Sequence, residues 1–354
     1  KVFAALGSYN LEIAKYFSNV SLDAHESSGG WSVDQADQYN LGGITGLVVS
    51  RVQSLRYGEN PHQKGAFYSP LGVKRKAWEQ LNGKDLSYNN FLDFDAACRM
   101  LRSMPDDLPA VAIFKHLNPC GAARDSSLLT ALEKAKLGDK RSHFGGIIAL
   151  NREVTPETAE NIVNDFAEIV VAPAYSQQAL EILRKKKNLR VIQINMESRD
   201  RFESRSAAGG LLIQQTDPRV SQMADARLVS DRKVSDREME DLQFAWFLCA
   251  HVKSNAITLV KDQMLIGAGA GQMSRIDSVD LALSKAKTHG HDPRGAVAAS
   301  DAFFPFTDGV ETLAAHGVEV VVEPGGSLRD DDVIAKAKEL NVSLLFTGER
   351  HFRH

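Results

Sequence analysis

Cysteine is scarce in this sequence. The 354 residues include three cysteines, Cys98, Cys120 and Cys249, and no two of them have the Cys-x-x-Cys spacing. An odd and sparse set argues against a disulfide framework and against a structural zinc cluster, so we expect a reducing, cytoplasmic compartment. The sequence starts at Lys1 without a methionine, so we expect a fragment or processed product, and import into an organelle stays open.

Long apolar runs and an excess of basic charge are missing too. No stretch of 18 apolar residues occurs, so we expect no membrane partner. The net charge of -3 argues against a nucleic-acid partner, since proteins built around a phosphate backbone normally carry a strong basic excess. A length of 354 residues fits two compact units or one large α/β enzyme.

Helical and strand patterns alternate along the chain, which predicts an α/β fold around a parallel or mixed sheet. The alternation occurs twice, with a break near residue 230, and this favours two α/β subdomains. Residues 21–43 are rich in Ser, Gly, Asp and Gln and predict a loop. Strands are predicted at 111–114, 146–150, 169–172, 191–194, 257–260, 264–267, 296–300, 318–322 and 343–346. Helices are predicted at 1–20, 156–166, 177–187, 235–253, 279–287, 309–316 and 330–340.

An adjacent cation and imidazole, Lys115 and His116, stand at the end of the apolar strand predicted at 111–114. We expect a turn at 118–121 after them. Side by side at the mouth of a strand, the two groups could divide proton donation and removal between them. The alternative is a pair of surface residues. A zinc-deaminase site would need His-x-Glu and Pro-Cys-x-x-Cys, but Asn118 and Ala123 stand where Glu and the second Cys would be, so no zinc is expected.

Two segments far apart in the chain carry an arginine beside an aromatic residue. Arg56 could grip a phosphate and Tyr57 could flank a planar base, although a simple turn explains the run equally well. The closing run 350–354 is either a frayed tail or, because it closely follows a strand, a segment held in a site.

Two further segments lie after predicted strands in the second half. The glycine-rich run 267–271 could let the backbone approach a ligand while Arg275 contacts an anion; a flexible turn is the alternative. In the run 300–308, aromatic side chains could stack on a flat heterocycle while a carboxylate binds its N–H groups, or the run could be an edge of the core.

Taken together, these segments resemble the aminoimidazole carboxamide ribonucleotide (AICAR) formyltransferase domain of a bifunctional purine-biosynthesis family. The other half of that family is an IMP cyclohydrolase. The resemblance covers the chain from about Val52 to its end. The matching runs are LRYGENPHQ, LSYNNFLDFDAA, FKHLNPCGAA, SHFGGIIALNREV, IVVAPAY, KSNAITLV, IGAGAGQMSRIDS, SDAFFPFTDGV and FRH.

The resemblance implies a domain plan. Residues 1–20 would be the last helix of the cyclohydrolase domain and 21–50 a linker. Residues 51–232 and 233–354 would be two tandem cytidine-deaminase-like α/β subdomains without the zinc. Cyclohydrolase activity is then not expected from this chain. The family implies a homodimer with shared active sites, acting on a nucleotide and a folate.

The resemblance also implies individual roles. The implied reaction moves a formyl group from 10-formyltetrahydrofolate to the amine of AICAR. His116 would take the proton of the amine, Lys115 would stabilise or protonate the departing folate nitrogen, and Asn255 would hold the formyl oxygen. The other implied contacts are Arg56, Tyr57, Asn90, Gly145, Glu168, Arg275, Arg350 and Phe352 for AICAR, Phe303, Pro305 and Asp308 for the folate, and Ser254 and Asp301 for a potassium ion.

Two positions depart from the family. Glu168 stands where some members have Asp, and Ala256 replaces a Ser that serves as a potassium ligand in some members. Two alternatives to a formyltransferase are a zinc deaminase and a nucleotide-binding module without turnover. Metal analysis would identify the first, and AICAR binding without a formylated product would identify the second.

Overall fold

A computed structural model describes residues 2–18, 20–22, 31–33, 45–71, 77–196, 202–217 and 220–354. The helices are α1 (Val2–Ser18), α2 (Tyr88–Ser103), α3 (Leu128–Gly138), α4 (Pro156–Asn164), α5 (Gln177–Arg184), α6 (Asp236–Cys249), α7 (Arg275–Thr288), α8 (Asp308–Ala315) and α9 (Asp330–Glu339). The strands are β1 (Val20–Leu22), β2 (Trp31–Val33), β3 (Val49–Leu55), β4 (Gly65–Pro70), β5 (Trp78–Asn82), β6 (Ala110–Lys115), β7 (Asn118–Arg124), β8 (Ile147–Leu150), β9 (Ile169–Ala172), β10 (Arg190–Ile194), β11 (Phe202–Ala207), β12 (Gly210–Gln215), β13 (Arg227–Leu228), β14 (Ile257–Lys261), β15 (Met264–Gly269), β16 (Val297–Ser300), β17 (Val320–Glu323) and β18 (Ser343–Phe346). Of these described helices, none is long and apolar enough to cross a membrane.

The chain divides into two compact units. The small unit consists of residues 1–76 and 199–218, and the large unit consists of residues 77–198 and 219–354. In the small unit, helix α1 is followed by three antiparallel strand pairs, β1 with β2, β3 with β4, and β11 with β12. The large unit contains the other helices and all remaining strands.

A single mixed sheet of twelve strands organises the large unit, in the order β13-β18-β17-β16-β14-β15-β7-β6-β8-β9-β10-β5. Each half contains a hairpin, three parallel strands and an antiparallel edge strand. Along the chain, both halves follow one element order: an edge strand, a helix, a hairpin, and three helix-strand pairs. The halves meet where β15 lies antiparallel to β7. The α/β fold class is confirmed, and the chain contains one topology twice.

Helices cover both faces of this sheet. One face carries α2 and α6, and a single apolar core beneath them takes side chains from strands of both halves. The opposite face has two separate cores, one under α3, α4 and α5 and the other under α7, α8 and α9. Strands buried on both faces are expected to be mainly apolar, which explains the apolar runs 169–172 and 344–346.

Glycines in the two hairpins allow helices to pack directly on strand backbone. A Cβ atom on Gly269 would lie 1.9 Å from the carbonyl oxygen of Ser278 in α7, and one on Gly121 would lie 2.0 Å from that of Ala135 in α3. The predicted glycine-rich loop is therefore corrected, because residues up to Gly269 belong to β15. Of the run, only Ala270 and Gly271 follow the strand.

Most predicted elements are confirmed, with shifted ends. Helix α6 starts at Asp236, after the N-cap Ser235, whose capping-box partner Glu238 lies in the first turn; the helix ends at Cys249 rather than at residue 253. The predicted loop 21–43 is wrong in part, since it includes the end of β1 and all of β2; residues 23–30 and 34–44 lie outside the described residues. The domain boundaries at residues 51 and 233 stay predictions.

Candidate active site

Nearly all predicted site residues of the large unit lie along one edge of the sheet, or in the closing run beside it. Strand β6 ends there at Lys115, and the antiparallel β8 and its parallel neighbour β9 begin there. In the second half, β14 begins and β15, β16 and β17 end at this edge, because β15 lies antiparallel to β7. Corresponding strands of the two halves therefore point in opposite directions at this edge: β6 ends there, whereas its counterpart β14 begins there.

The Lys115-His116 pair stands at a tight hairpin turn. His116 and Leu117 have positive φ angles of 52° and 64°, as in the two-residue turns that join antiparallel strands. The turn predicted at 118–121 is wrong, because the chain has already reversed and Asn118 opens β7. Lys115 donates from Nζ to the carbonyl of Phe144 at 3.0 Å, and His116 is exposed. The imidazole is thus presented to solvent beside a tethered ammonium group.

Asp93 on α2 anchors this turn and was missed by sequence reasoning. Its Oδ1 accepts a hydrogen bond from the backbone N–H of Leu117 at 2.7 Å. Burial raises the pKa of Asp93, whereas the Leu117 N–H and the nearby His116 lower it. Its counterpart on α6 is Asp241, which accepts from the N–H groups of the other hairpin turn. Both halves use an aspartate to hold a hairpin turn, but only Asp93 lies beside a histidine.

Asn118 connects the first half to the second at the site. Its Oδ1 accepts from the backbone N–H of Lys253 at 3.0 Å, and its Nδ2 donates to the carbonyl of His116 at 3.1 Å. The segment that follows Lys253 carries Asn255. One side chain therefore links the predicted proton-transfer pair to the predicted formyl-binding amide.

Asn255 is oriented by Arg275 and by the loop after β15. Its Oδ1 accepts from Nη2 of Arg275 at 2.7 Å. Its Nδ2 donates to the carbonyls of Gln272 and Met273 at 2.9 and 3.2 Å. Both amide hydrogens are engaged, so a formyl oxygen can bind Nδ2 only if one of these carbonyls moves. The 272–273 segment thus covers the amide, and the role of Asn255 in holding the formyl oxygen stays a prediction.

Arg275, one of the predicted AICAR contacts, makes a buried ion pair. Its Nη1 donates to Asp301 at 2.5 Å and to Ser300 at 2.9 Å. Asp301 has no exposed surface and also accepts from the backbone N–H of Ala256. A buried pair of this kind holds the start of α7 against the end of β16, and losing one partner typically costs about 3–5 kcal/mol.

The predicted potassium ligands satisfy one another. The hydroxyl of Ser254 donates to Asp301 and accepts from the backbone N–H of Arg353. The carboxylate charge of Asp301 is already balanced by Arg275. These two side chains therefore do not form an open cation site. The potassium ion stays a prediction.

The closing run 350–354 is held in place rather than frayed. His351 is buried, with its ring 5.3 Å from that of Trp246. The carbonyl of Arg353 accepts from the N–H of Ser254 at 3.0 Å. The guanidinium of Arg350 stacks 4.5 Å from the ring of Phe352. The two predicted contacts, Arg350 and Phe352, are thus anchored next to the Ser254-Asn255 segment.

Asn90, Glu168 and Gly145 form a second group at the same edge. Asn90 is the capping-box residue of α2 and donates from Nδ2 to Glu168 at 3.1 Å. Glu168 also lies 3.7 Å from Arg190. Gly145 has a φ of 74°, which favours glycine, and its N–H donates to the carbonyl of Phe166. Each of the three has a structural role, and their predicted AICAR contacts stay predictions.

The predicted folate residues lie between β16 and α8. Phe303 is exposed, Pro305 is half-buried, and Asp308 begins α8, where its Oδ1 accepts from the N–H of Gly309. The intervening Phe304 is buried, so the core-edge alternative is right for that residue. Phe306 is exposed, and the guanidinium of Arg329 lies 5.3 Å from its ring. Exposed aromatic rings and charged side chains thus lie close together at the surface of this segment.

Arg56 and Tyr57 belong to the small unit. The guanidinium of Arg56 lies 5.2 Å from the Tyr57 ring. The chain then forms a turn in which the N–H of Gly58 donates to the carbonyl of Gln63 at 2.7 Å. The turn is observed, and the nucleotide contact stays a prediction.

The chemistry of Cys120 does not favour a zinc ligand. Burial raises the pKa of its thiol to about 12, and its Sγ donates to the carbonyl of Ile113. Zinc binds the thiolate. Within the described ranges, His, Cys, Asp and Glu side chains do not gather in a group of three or more that could hold a metal ion.

Comparisons with known proteins identify a family and relatives of this chain. A family model described as AICARFT/IMPCHase bienzyme matches residues 1–285. The whole chain is 43% identical over 360 residues to the bifunctional purine biosynthesis protein PurH of Chlorobium phaeobacteroides, of which it covers 66%. It is 43% identical over 364 residues to the protein of that name from Neisseria meningitidis serogroup A, covering 67%, and 42% identical over 359 residues to that of Bacillus subtilis, covering 66%. The chain thus spans about two thirds of the length of these relatives.

Proposed function

The chain belongs to the AICARFT/IMPCHase bienzyme family, and from this premise we propose that it is the AICAR formyltransferase of purine biosynthesis. It would transfer the formyl group of 10-formyltetrahydrofolate to the 5-amino group of AICAR. The observation that carries the proposal is the hydrogen bond between Asn118 and Lys253, which brings the Lys115-His116 turn next to the Asn255 segment.

Each step of the transfer has a group suited to it. The amine of AICAR is conjugated with a carboxamide and is a poor nucleophile, so His116 removes its proton as the new C–N bond forms. Asn255 donates to the formyl oxygen, where negative charge develops in the tetrahedral intermediate. Lys115 supplies the proton that the departing folate nitrogen needs when the old C–N bond breaks.

The arrangement also requires local movement. Because Gln272 and Met273 accept from both amide hydrogens of Asn255, substrate entry would displace one of these carbonyls. Met273 is fully exposed, so its movement disturbs little of the packed interior. We propose that the bound formyl group takes over one of these hydrogen bonds.

A formyl-transfer assay tests the function. The purified chain is mixed with AICAR and 10-formyltetrahydrofolate, and formyl-AICAR and tetrahydrofolate are quantified by chromatography and absorbance. We expect both products in equal amounts, and neither when AICAR is omitted. Binding of AICAR without product would favour the nucleotide-binding module instead. We further propose that the chain forms a homodimer, which sedimentation analysis of the same sample tests. We also propose that the protein acts in the cytoplasm.

A further inference from the structure

A buried carboxyl group lies beneath the segment that carries the predicted folate contacts. Glu323, the last residue of β17, has no exposed surface. Its Oε2 accepts a hydrogen bond from the backbone N–H of Phe304. Its Oε1 is also buried, and the described part of the chain offers it no hydrogen-bond partner. Buried polar atoms without a partner are rare, and each requires an explanation.

The surroundings of this carboxyl group disfavour its charged form. Burial raises the pKa of Glu323 to about 8; the Phe304 N–H lowers it, the negative charge of Asp330 raises it, and Arg275 lowers it. Asp330 is itself held by two backbone N–H groups of the loop after β17. Arg275 is paired with Asp301, which follows the neighbouring β16. A single N–H donor cannot compensate a buried carboxylate for its lost hydration.

The hydrogen bond from the Phe304 N–H to Glu323 holds the backbone that carries two exposed aromatic side chains. The Phe304 ring is buried and packs so closely on Gly309 that a Cβ there would lie 2.4 Å from it. Phe303 and Phe306 flank this anchor and are exposed. Moving the Phe304 backbone would therefore turn both exposed rings, and with them the surface offered to a flat heterocycle.

We propose that Glu323, in its protonated form, is the positioning residue of segment 303–308 and thereby sets the affinity for the formyl donor. The proposal rests on the proposed function and deepens it. When Glu323 ionises, the lost hydration of the buried carboxylate outweighs its single hydrogen bond from Phe304. The carboxylate is therefore drawn towards water, and the bond to Phe304 is lost. The segment then no longer presents Phe303 and Asp308 in the binding arrangement.

Steady-state kinetics over a range of pH test the proposal. Between about pH 7.5 and about pH 9, the KM for the formyl donor should rise by up to about tenfold in the unmodified chain, since only the protonated fraction binds. Glu323→Gln keeps an acceptor for Phe304 and cannot ionise, so its KM should stay flat. Glu323→Ala should show a raised KM at every pH. The KM for AICAR should not change with Glu323 in any of these variants.

A matched control is Glu319→Gln. Glu319 precedes β17, is exposed and pairs with Arg232 at 2.8 Å, so the variant removes the same charge without touching Phe304. Its KM profile should follow that of the unmodified chain. A Glu323→Gln variant with the same rise in KM as the unmodified chain would overturn the proposal.

Amide hydrogen exchange provides a measurement that does not depend on activity. The protection factor of the Phe304 amide should fall between about pH 7.5 and about pH 9 in the unmodified chain and stay constant in Glu323→Gln. If no formyl transfer occurs at any pH, the proposed function fails, but this measurement still decides whether Glu323 holds the segment. Equal protection profiles in the two proteins would refute the positioning role.

Discussion

The side-chain oxygen of Asn118 accepts the backbone N–H of Lys253 at 3.0 Å, although the two residues are 135 positions apart. The same side chain donates to the carbonyl of His116. Asn118 therefore fixes the distance between a hairpin turn of the first half and the Asn255 segment of the second. Groups that must act together on one substrate need such fixed placement, because small displacements of catalytic groups can cost about 10²-fold in rate.

Asn118→Ala should lower kcat by about 10-fold to 100-fold and leave the KM for AICAR within about threefold, because positioning is lost while the predicted AICAR contacts remain. Asn118→Asp keeps the acceptor for Lys253 but loses the donor to His116, so its loss should be smaller. Steady-state kinetics check both. A kcat for Asn118→Ala equal to that of the unmodified chain would show that the link does not matter for turnover.

His116→Ala should lower kcat by about 10²-fold to 10⁴-fold, the usual contribution of a general base. AICAR affinity, measured by isothermal titration calorimetry, should stay nearly intact, because the imidazole acts on the reacting amine. The matched control is His316→Ala, since His316 lies at the end of α8 and interacts with the carbonyl of Thr312. Unchanged turnover in His116→Ala would remove this residue from the mechanism.

Asp93→Asn should lower kcat by about tenfold. The variant keeps an oxygen for the Leu117 N–H but removes the negative charge beside His116, so the proton taken from the amine is less stabilised. Asp241→Asn makes the same change at the other hairpin turn, which lacks a histidine, and should lower the unfolding temperature without changing kcat. Kinetics and thermal unfolding of the two variants separate the roles. Equal effects on kcat would contradict a catalytic contribution of the Asp93 charge.

The sequence was sufficient for elements whose packing leaves a local pattern. Strand 169–172 and strand 343–346 were predicted with their observed ends, because strands covered on both faces are mainly apolar; Ser343 is the one polar residue in these two strands. Strand β7 was missed, since Pro119 and Gly121 weaken its strand pattern. Its glycine is explained only by the distant carbonyl of Ala135, which no local pattern reveals.

The residues of the candidate site were predicted from residue types and a family resemblance, but the hydrogen bonds that connect them were not. Asn118 was noted only as the start of a predicted turn and as a residue that is not Glu, and Asp93 only as part of a matching run. Their partners are set by tertiary packing that joins helix, turn and a distant loop. Glu323 ends an apolar strand and gives no local sign that its carboxyl group is buried.

Gly269→Ala tests the close packing of α7 on β15. The added Cβ would lie 1.9 Å from the Ser278 carbonyl, which is backbone and cannot simply rotate away. We expect the free energy of unfolding to fall by about 3 kcal/mol, the upper part of the range for overpacked sites. Gly210→Ala is the control, because its nearest neighbour, the Ala207 carbonyl, would lie 3.7 Å from the new Cβ. Denaturant unfolding measures both, and equal stabilities would refute the packing argument.

The raised pKa of Glu323 also predicts how stability depends on pH. In the unfolded chain the group ionises near its ordinary value of 4.5, whereas in the folded chain it keeps its proton up to about pH 8. Between these values the folded state binds the extra proton, so the contribution of Glu323 to stability falls by up to about 1.4 kcal/mol per pH unit as pH rises, and then levels off. Glu323→Gln removes this dependence, so its stability relative to the unmodified chain should increase steadily from about pH 5 to about pH 8. Urea unfolding at a series of pH values measures the difference, with Glu319→Gln as the control that should not show the trend. A difference independent of pH would mean that Glu323 is already ionised in the folded chain.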